Sequence, residues 1–404
     1  SKIDTKGIVP GEVIIKTSPV TTTISLSISG QSLTPLNAIK QKYKPHSIDT
    51  LIYPTGPSSL QLSLAQNSSQ TYILKFDADD DTVQLASKIS QESGVDYAEP
   101  HYYVYISSVP NDPSYSKQRY FQEPITNYNL MLDFPQNHSP IVAVVDTGID
   151  SGHSDLAPAM YKNINETPNN NVDDDNNGFI DDFSGYNFIN NSSNFGSMHP
   201  HGTHMAGTIA AQTNNNSWIA GLSPQARLLN LKFLNTEGRG TQVNAARAIR
   251  YAVEQDARVI NCSFGYFNKN TVLKDAVQYA IDNNVIVVAA VGNSDTSIPE
   301  FPAKFPGVIT VGSVNYPRDD NRISRSYFSS YGDHIDFVTY GRDIYSTVPG
   351  GADFSSGTSS SASIISGIIS RLISFDSSLD RDDLYELLQG SSIDLGSAGK
   401  DRYF

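Results

Sequence analysis

The rhythm of apolar and polar positions changes near residue 109. Before that point, short β-rich runs alternate with helical spacings. Glu12–Lys16 (EVIIK) reads as a strand. Thr34-Pro35 is a helix start, a capping hydroxyl followed by proline at the first helical position. Leu36, Ile39 and Tyr43 then share one face, and Pro45 stops the helix. Strands follow at Ile48–Tyr53 and Tyr72–Phe76. Next comes a helix capped by Asp81, with Val83, Ala86 and Ile89 on one stripe and Gly94 as its C-terminal cap. A final run, Val95–Ile106, completes the order β-α-β-β-α-β, which predicts a small ferredoxin-like α+β unit. The segment 54–70, rich in Ser, Pro, Gly and Asn, is expected as a long loop within it.

Val109–Tyr120 (VPNDPSYSKQRY) is polar and turn-rich and suits a linker, so the expected domains are 1–108 and 109–404. Beyond it, continuous apolar runs stand at Ile141–Val145, Arg227–Phe233, Arg258–Asn261, Val285–Ala290 and Val308–Val311. Helical patterns lie between them at Gln242–Gln255 and Val272–Asn283. Strands apolar at every position, alternating with helices, predict an α/β, doubly wound, mostly parallel sheet covered on both faces. In such sheets, ligands bind beyond the carboxyl ends of the strands.

Composition narrows the function. The chain has 404 residues, and 28 Lys and Arg against 42 Asp and Glu leave a formal charge of −14. This balance argues against a nucleic-acid partner, whose phosphates are held by clustered cations. No apolar stretch approaches the roughly 20 residues of a membrane-spanning helix. The one cysteine, Cys262, excludes an internal disulfide.

Three segments carry candidate chemistry. Asp146 ends the strand IVAVV, where an acid could equally be a turn former. His199-Pro200-His201-Gly202-Thr203-His204 leads into a small-residue helix expected at Met205–Gln212. Gly357-Thr358-Ser359 leads into a helix expected at Ser360–Phe375, and Ser359 alone could be a mere helix cap. Together they resemble the subtilisin-like serine proteases, the subtilases, in Val145-Asp146-Thr147-Gly148-Ile149, His201-Gly202-Thr203-His204-Met205-Ala206-Gly207-Thr208 and Ser356-Gly357-Thr358-Ser359. The resemblance extends to Asn261–Gly265, Ala289–Asn293 and Phe301–Pro306, and covers the chain from about Pro110 to its end.

The resemblance implies a serine endopeptidase working through an acyl-enzyme. Ser359 would be the nucleophile, His201 the general base, Asp146 its orienting acid and Asn293 the oxyanion donor. Ser263, Phe264 and Gly265 would pair with an extended polypeptide substrate, and Ala290, Val291 and Gly292 would wall the first specificity pocket. Glu300 would form the base of that pocket and favour Lys or Arg before the scissile bond, unless it points to solvent. Where subtilases usually have Met-Ala-Ala/Ser-Pro after the nucleophile, this chain has Ser360-Ser361-Ala362-Ser363, and Tyr340-Gly341 replaces a usual Pro-Gly. Val95–Pro100 resembles the close of a subtilase propeptide. Residues 1–108 would then assist folding and occupy the cleft as a zymogen's inhibitor until cut within Tyr102–Pro110. The resemblance and the acidic charge imply secretion, after removal of a leader or from a longer precursor.

The acidic loop Asn171–Asp182 has Asp173, Asp175, Asn177, Gly178 and Asp181 at EF-hand positions 1, 3, 5, 6 and 9, with Ser184 in place of the twelfth-position Glu. Oxygen ligands at this spacing suit Ca2+, which subtilases commonly bind; otherwise the loop is a solvated turn. Two rival functions remain: a latent or inactive subtilase-fold binding protein, and a zinc hydrolase using His199, His201 and His204.

Overall fold

The computed structural model describes residues 8–18, 34–51, 70–102, 109–122, 128–132, 135–316, 323–396, 399 and 403. Residues 54–69 of the expected loop and most of the expected cut region therefore lie outside the described residues, while Gln70 opens the next strand. The chain divides into two compact units, Ser1–Ile106 and Ser107–Phe404.

In the first unit, β1 (Ile8–Thr17), α1 (Pro35–Tyr43), β2 (Ser47–Leu51), β3 (Gln70–Lys75), α2 (Thr82–Ile89) and β4 (Val95–Tyr102) form an antiparallel sheet of order β2-β3-β1-β4. This is the split-βαβ arrangement its sequence pattern predicts. Val13, Ile15, Ile39, Leu74, Ala86 and Ile89 make its core. Thr34 and Asp81 cap the two helices through their side-chain oxygens. Gly94 does not cap α2, which ends at Ile89; its φ of +82° serves the turn into β4.

The second unit is built on seven parallel strands in the order β11-β10-β9-β8-β5-β7-β6. They are β5 (Ile141–Asp146), β6 (Gly185–Asn187), β7 (Arg227–Lys232), β8 (Val259–Cys262), β9 (Ile286–Ala290), β10 (Ile309–Val314) and β11 (Phe337–Tyr340). The continuous apolar runs are explained by burial on both faces. In β5, Val142 and Val144 pack with Met205, Ile209, Ile365 and Ile369, from α3 (Pro200–Ala210) and α6 (Thr358–Phe375). Ala143 and Val145 pack on the other face with Ile249, Tyr251, Leu273 and Val277, from α4 (Gln242–Glu254) and α5 (Thr271–Asp282). A hairpin, β12 (Ile344–Val348) and β13 (Gly351–Ser355), and helix α7 (Arg381–Ser391) complete the unit.

The stretch 109–120 is not a bare linker. Asp112, Tyr115, Gln118 and Tyr120 are buried, and Gln118 bonds the Ala220 backbone at both its N–H and its carbonyl, so tertiary packing overrides the polar composition. Strand order reverses at β5, whose neighbours β7 and β8 lead the chain to opposite sides. The carboxyl ends of β5 and β8 thus frame the crevice where such folds place ligands.

Candidate active site

Asp146 is the last residue of β5 and has no exposure. His201 is the second residue of α3, which begins at Pro200 and not at Met205. Proline at N1 with His199 as N-cap, its Nδ1 accepting from His201 N, explains the earlier start. The His201 ring is one quarter exposed, and its Nδ1 lies 2.9 Å from both carboxylate oxygens of Asp146. An acid at this position makes Nδ1 the protonated nitrogen and leaves Nε2 free to act as a base. Burial opposes charging the ring, but attraction and hydrogen bonding from Asp146 outweigh it, so the His201 pKa is raised above its ordinary value.

This approach depends on Gly202. A Cβ there would overlap Gly148 O and come 3.2 Å from Asp146 Oδ1, so only glycine lets α3 close on the strand end. Thr147 fixes the contact by accepting from Gly202 N at 3.0 Å and donating to His199 O at 2.9 Å. Lys232, on the strand beside Asp146, donates to Phe195 O and Ser197 O and holds the chain approaching α3.

Ser359 lies in the first turn of α6, which starts at Thr358. Its Oγ donates to Ser263 O at 3.1 Å, and Ser263 Oγ donates back to Ser359 O at 3.1 Å, tying the helix start to the end of β8. Asn261 steadies Ser263 from below, at 2.9 Å. The unusual Ser363 satisfies its own hydroxyl by donating to Ser360 O at 2.8 Å. Asn293 Oδ1 accepts from Thr358 N at 2.8 Å and from Thr358 Oγ1 at 3.0 Å. Two donors on the oxygen settle the amide orientation and turn its NH2 away from Thr358, within 3.3 Å of where a Gly357 Cβ would lie.

Glu300 is 7% exposed. Tyr266 and Phe301 exchange backbone hydrogen bonds of 3.1 and 2.9 Å, which draws the segment before Phe301 against Gly265. Glu300 Oε2 fills the space a Cβ on Gly265 would take, and Oε1 the space of one on Gly292. The carboxylate receives no hydrogen bond from any described residue, and burial alone pushes its pKa up. It therefore does not point to solvent.

The three histidines of the cluster do not converge. His199 caps α3, His201 faces Asp146, and His204, 2% exposed, donates Nε2–H to Ile344 O at 3.0 Å. Burial, partly offset by that carbonyl, lowers the His204 pKa to about 4. The rings have separate structural partners, which removes the zinc-hydrolase reading. Burial first, and the Asp146 charge second, keep the Cys262 thiol protonated.

In the acidic loop, Asp173 and Asp175 come together with Glu166, all three offering an oxygen within 4.8 Å of one another. The sequence pattern missed Glu166, which lies ahead of the EF-like window. It is 4% exposed, and its Oε2 is buried without a partner. Asp181 turns away and accepts from Asn170 N and Asn171 N at 2.9 and 3.0 Å. Asn177 Oδ1 is taken by Phe179 N, while its Nδ2 donates to Asp175 and to the fully buried Asp182.

A buried acid paired with an imidazole at a strand end, and a serine at a helix start beside the end of β8, are parts that a serine hydrolase on a doubly wound parallel sheet uses. The model of the Subtilase family, peptidase S8, matches residues 137–404. The chain is 36% identical over 282 residues to the thermophilic serine proteinase of Bacillus sp. (strain AK1), covering 69% of this chain and 63% of that protein. It is 35% identical over 266 residues to thermitase of Thermoactinomyces vulgaris, covering 66% of this chain and 85% of that one. An intracellular serine protease of Paenibacillus polymyxa is 35% identical over 271 residues, covering 64% and 76% respectively. A cold adapted subtilisin-like serine proteinase of known crystal structure matches with a TM-score of 0.50 and 26% identity, over 64% of this chain and 84% of that one. The chain belongs to the Subtilase family of serine endopeptidases.

Proposed function

We propose that the chain hydrolyses peptide bonds with Ser359 as nucleophile, His201 as general base and Asp146 as the acid that orients it. The observation that carries this is the double approach of Asp146 to His201 Nδ1, which leaves Nε2 as the base in the crevice where α6 presents Ser359. The Ser359 hydroxyl rests on Ser263 O; attack requires the same proton to pass to Nε2. Oγ then bonds to the peptide carbonyl carbon, and the oxyanion meets Asn293 Nδ2 and the Ser359 N–H. His201 returns the proton to the leaving amine, and water, deprotonated by the same nitrogen, releases the acyl group and restores the serine.

Ser263, Phe264 and Gly265 offer one edge for the extended substrate, with Ala290, Val291 and Gly292 opposite. Between them, the buried carboxylate of Glu300 supports a preference for Lys or Arg before the scissile bond, because a cation supplies the partner it lacks. We also propose that residues 1–108 act as a propeptide, cut within Tyr102–Pro110, and that the protein is secreted as a zymogen with polypeptides as its substrates. The split-βαβ sheet of the first unit supports the former, and the acidic charge is consistent with the latter. Among the described residues, no helix is long and apolar enough to cross a membrane. The orphaned Oε2 of Glu166 beside Asp173 and Asp175 fits a hard cation, and we propose that these three oxygens hold Ca2+, which would rigidify the loop.

Mass spectrometry of the intact chain after incubation tests the reading: cleavage between Tyr102 and Pro110 is expected, and Ser359→Ala should abolish it. Cleavage that persists in Ser359→Ala would remove Ser359 from the role.

A further inference from the structure

A cleft of about 560 Å³ opens beside the catalytic pair, with His201, Ser263 and Gly265 on one wall. Phe233, Leu234 and the loop Gly238-Arg239-Gly240 form another wall. Glu300 does not line it, so the cleft is separate from the space that carboxylate fills. Among the described residues, its only permanently charged lining group is the guanidinium of Arg239. The other titratable rings there are His199 and His201, both already engaged, one as a helix cap and one with Asp146, and Tyr266, a neutral phenol whose pKa burial raises. Arg239 pairs with Glu237 at 3.5 Å, too long for a strong charge-assisted bond, and both side chains are mostly exposed.

We propose that Arg239 is a specificity residue that selects an acidic side chain upstream of the scissile bond, so that preferred substrates carry a carboxylate there and a cation at the bond. This deepens the endopeptidase reading and rests on it. Successive side chains of an extended peptide point to opposite faces. If the residue before the bond reaches Glu300, the second and fourth residues before it project toward the other side, where this cleft lies. A planar guanidinium receives a carboxylate in two parallel hydrogen bonds. Because Arg239 is exposed, its contribution is modest and salt-sensitive.

The test uses the full chain after it has processed itself, with peptides bearing Arg before the bond and Glu or Gln at the second, third or fourth upstream position. The expected Glu/Gln ratio in kcat/KM is about three- to ten-fold at the second or fourth position and near one at the third. It should fall to near one in Arg239→Gln and in 1 M NaCl. A ratio near one at every position with normal turnover overturns the role of Arg239 alone, as does a ratio that survives Arg239→Gln. Absence of all turnover overturns the endopeptidase reading and this inference with it.

Discussion

Replacing Glu300 by Gln preserves the side-chain volume and removes the charge from the space between Gly265 and Gly292. A substrate Arg or Lys entering that space in the native chain meets a carboxylate with no competing hydrogen bond from the described residues. Removing one partner of a buried, hydrogen-bonded charge pair costs about 2–5 kcal/mol. Part of that interaction is already consumed, because burial raises the Glu300 pKa and the carboxyl must be held ionised when the cation binds. The lower end of the range applies, so kcat/KM for an Arg substrate should fall by about 30-fold. A matched Leu substrate should be unchanged or faster, since its entry no longer desolvates a charge. The assay is kcat/KM for peptides differing only in Arg, Leu or Phe before the bond. The sign of the pH dependence follows from the same shift. If the ionised carboxylate selects Arg as proposed, the Arg/Leu ratio must fall as pH falls through a midpoint above the usual carboxyl value, and taking a ratio cancels the titration of His201. An Arg/Leu ratio that changes less than about threefold in Glu300→Gln, or that is flat with pH, would refute the assignment.

Asn293→Ala should fold normally and lose about 10²–10³ in kcat, as expected for a lost oxyanion donor; unchanged turnover would remove that role. The rate itself should rise with pH through a midpoint above the ordinary imidazole value of about 6.5, because the neutral His201 is the base and Asp146 stabilises its charged form. A kcat/KM profile with its acid limb centred below 6 would contradict the Asp146–His201 geometry. Ca2+ at about 100 times its Kd should stabilise by about 2.7 kcal/mol, a rise in Tm on the order of 5 °C read by calorimetry. Glu166→Gln should weaken that response, and a Tm indifferent to both chelator and Ca2+ would exclude a structural ion here.

The proposed catalytic residues stand out in the sequence because each follows a local rule: Asp146 closes an apolar strand, and His201 and Ser359 sit beside small residues at helix starts. α3 starts five residues ahead of the expected Met205 because Pro200 at the first helical position and the His199 cap begin the helix before the apolar run. Glu166 escaped because the EF-hand spacing directs attention downstream, whereas the chain folds back and brings an earlier residue to Asp173 and Asp175. Asp181 occupies a ligand position by count, yet backbone N–H groups of Asn170 and Asn171 claim both its oxygens, and no spacing rule reveals that competition. The support from Thr147 and Thr358 was likewise hidden, since it depends on strand and helix ends meeting in space. The hairpin β12–β13 and strands β6 and β11 were missed because they are short and less uniformly apolar.

The central claim is that His201, oriented by Asp146, activates the hydroxyl of Ser359. A fluorophosphonate probe reacts far faster with an activated serine hydroxyl than with an ordinary one, and peptide mapping by mass spectrometry locates the adduct. The account predicts a single adduct on Ser359 in the processed protein, with labelling slowed by orders of magnitude in His201→Ala and in Asp146→Ala. An unlabelled Ser359, or labelling at equal rate without His201, would contradict it.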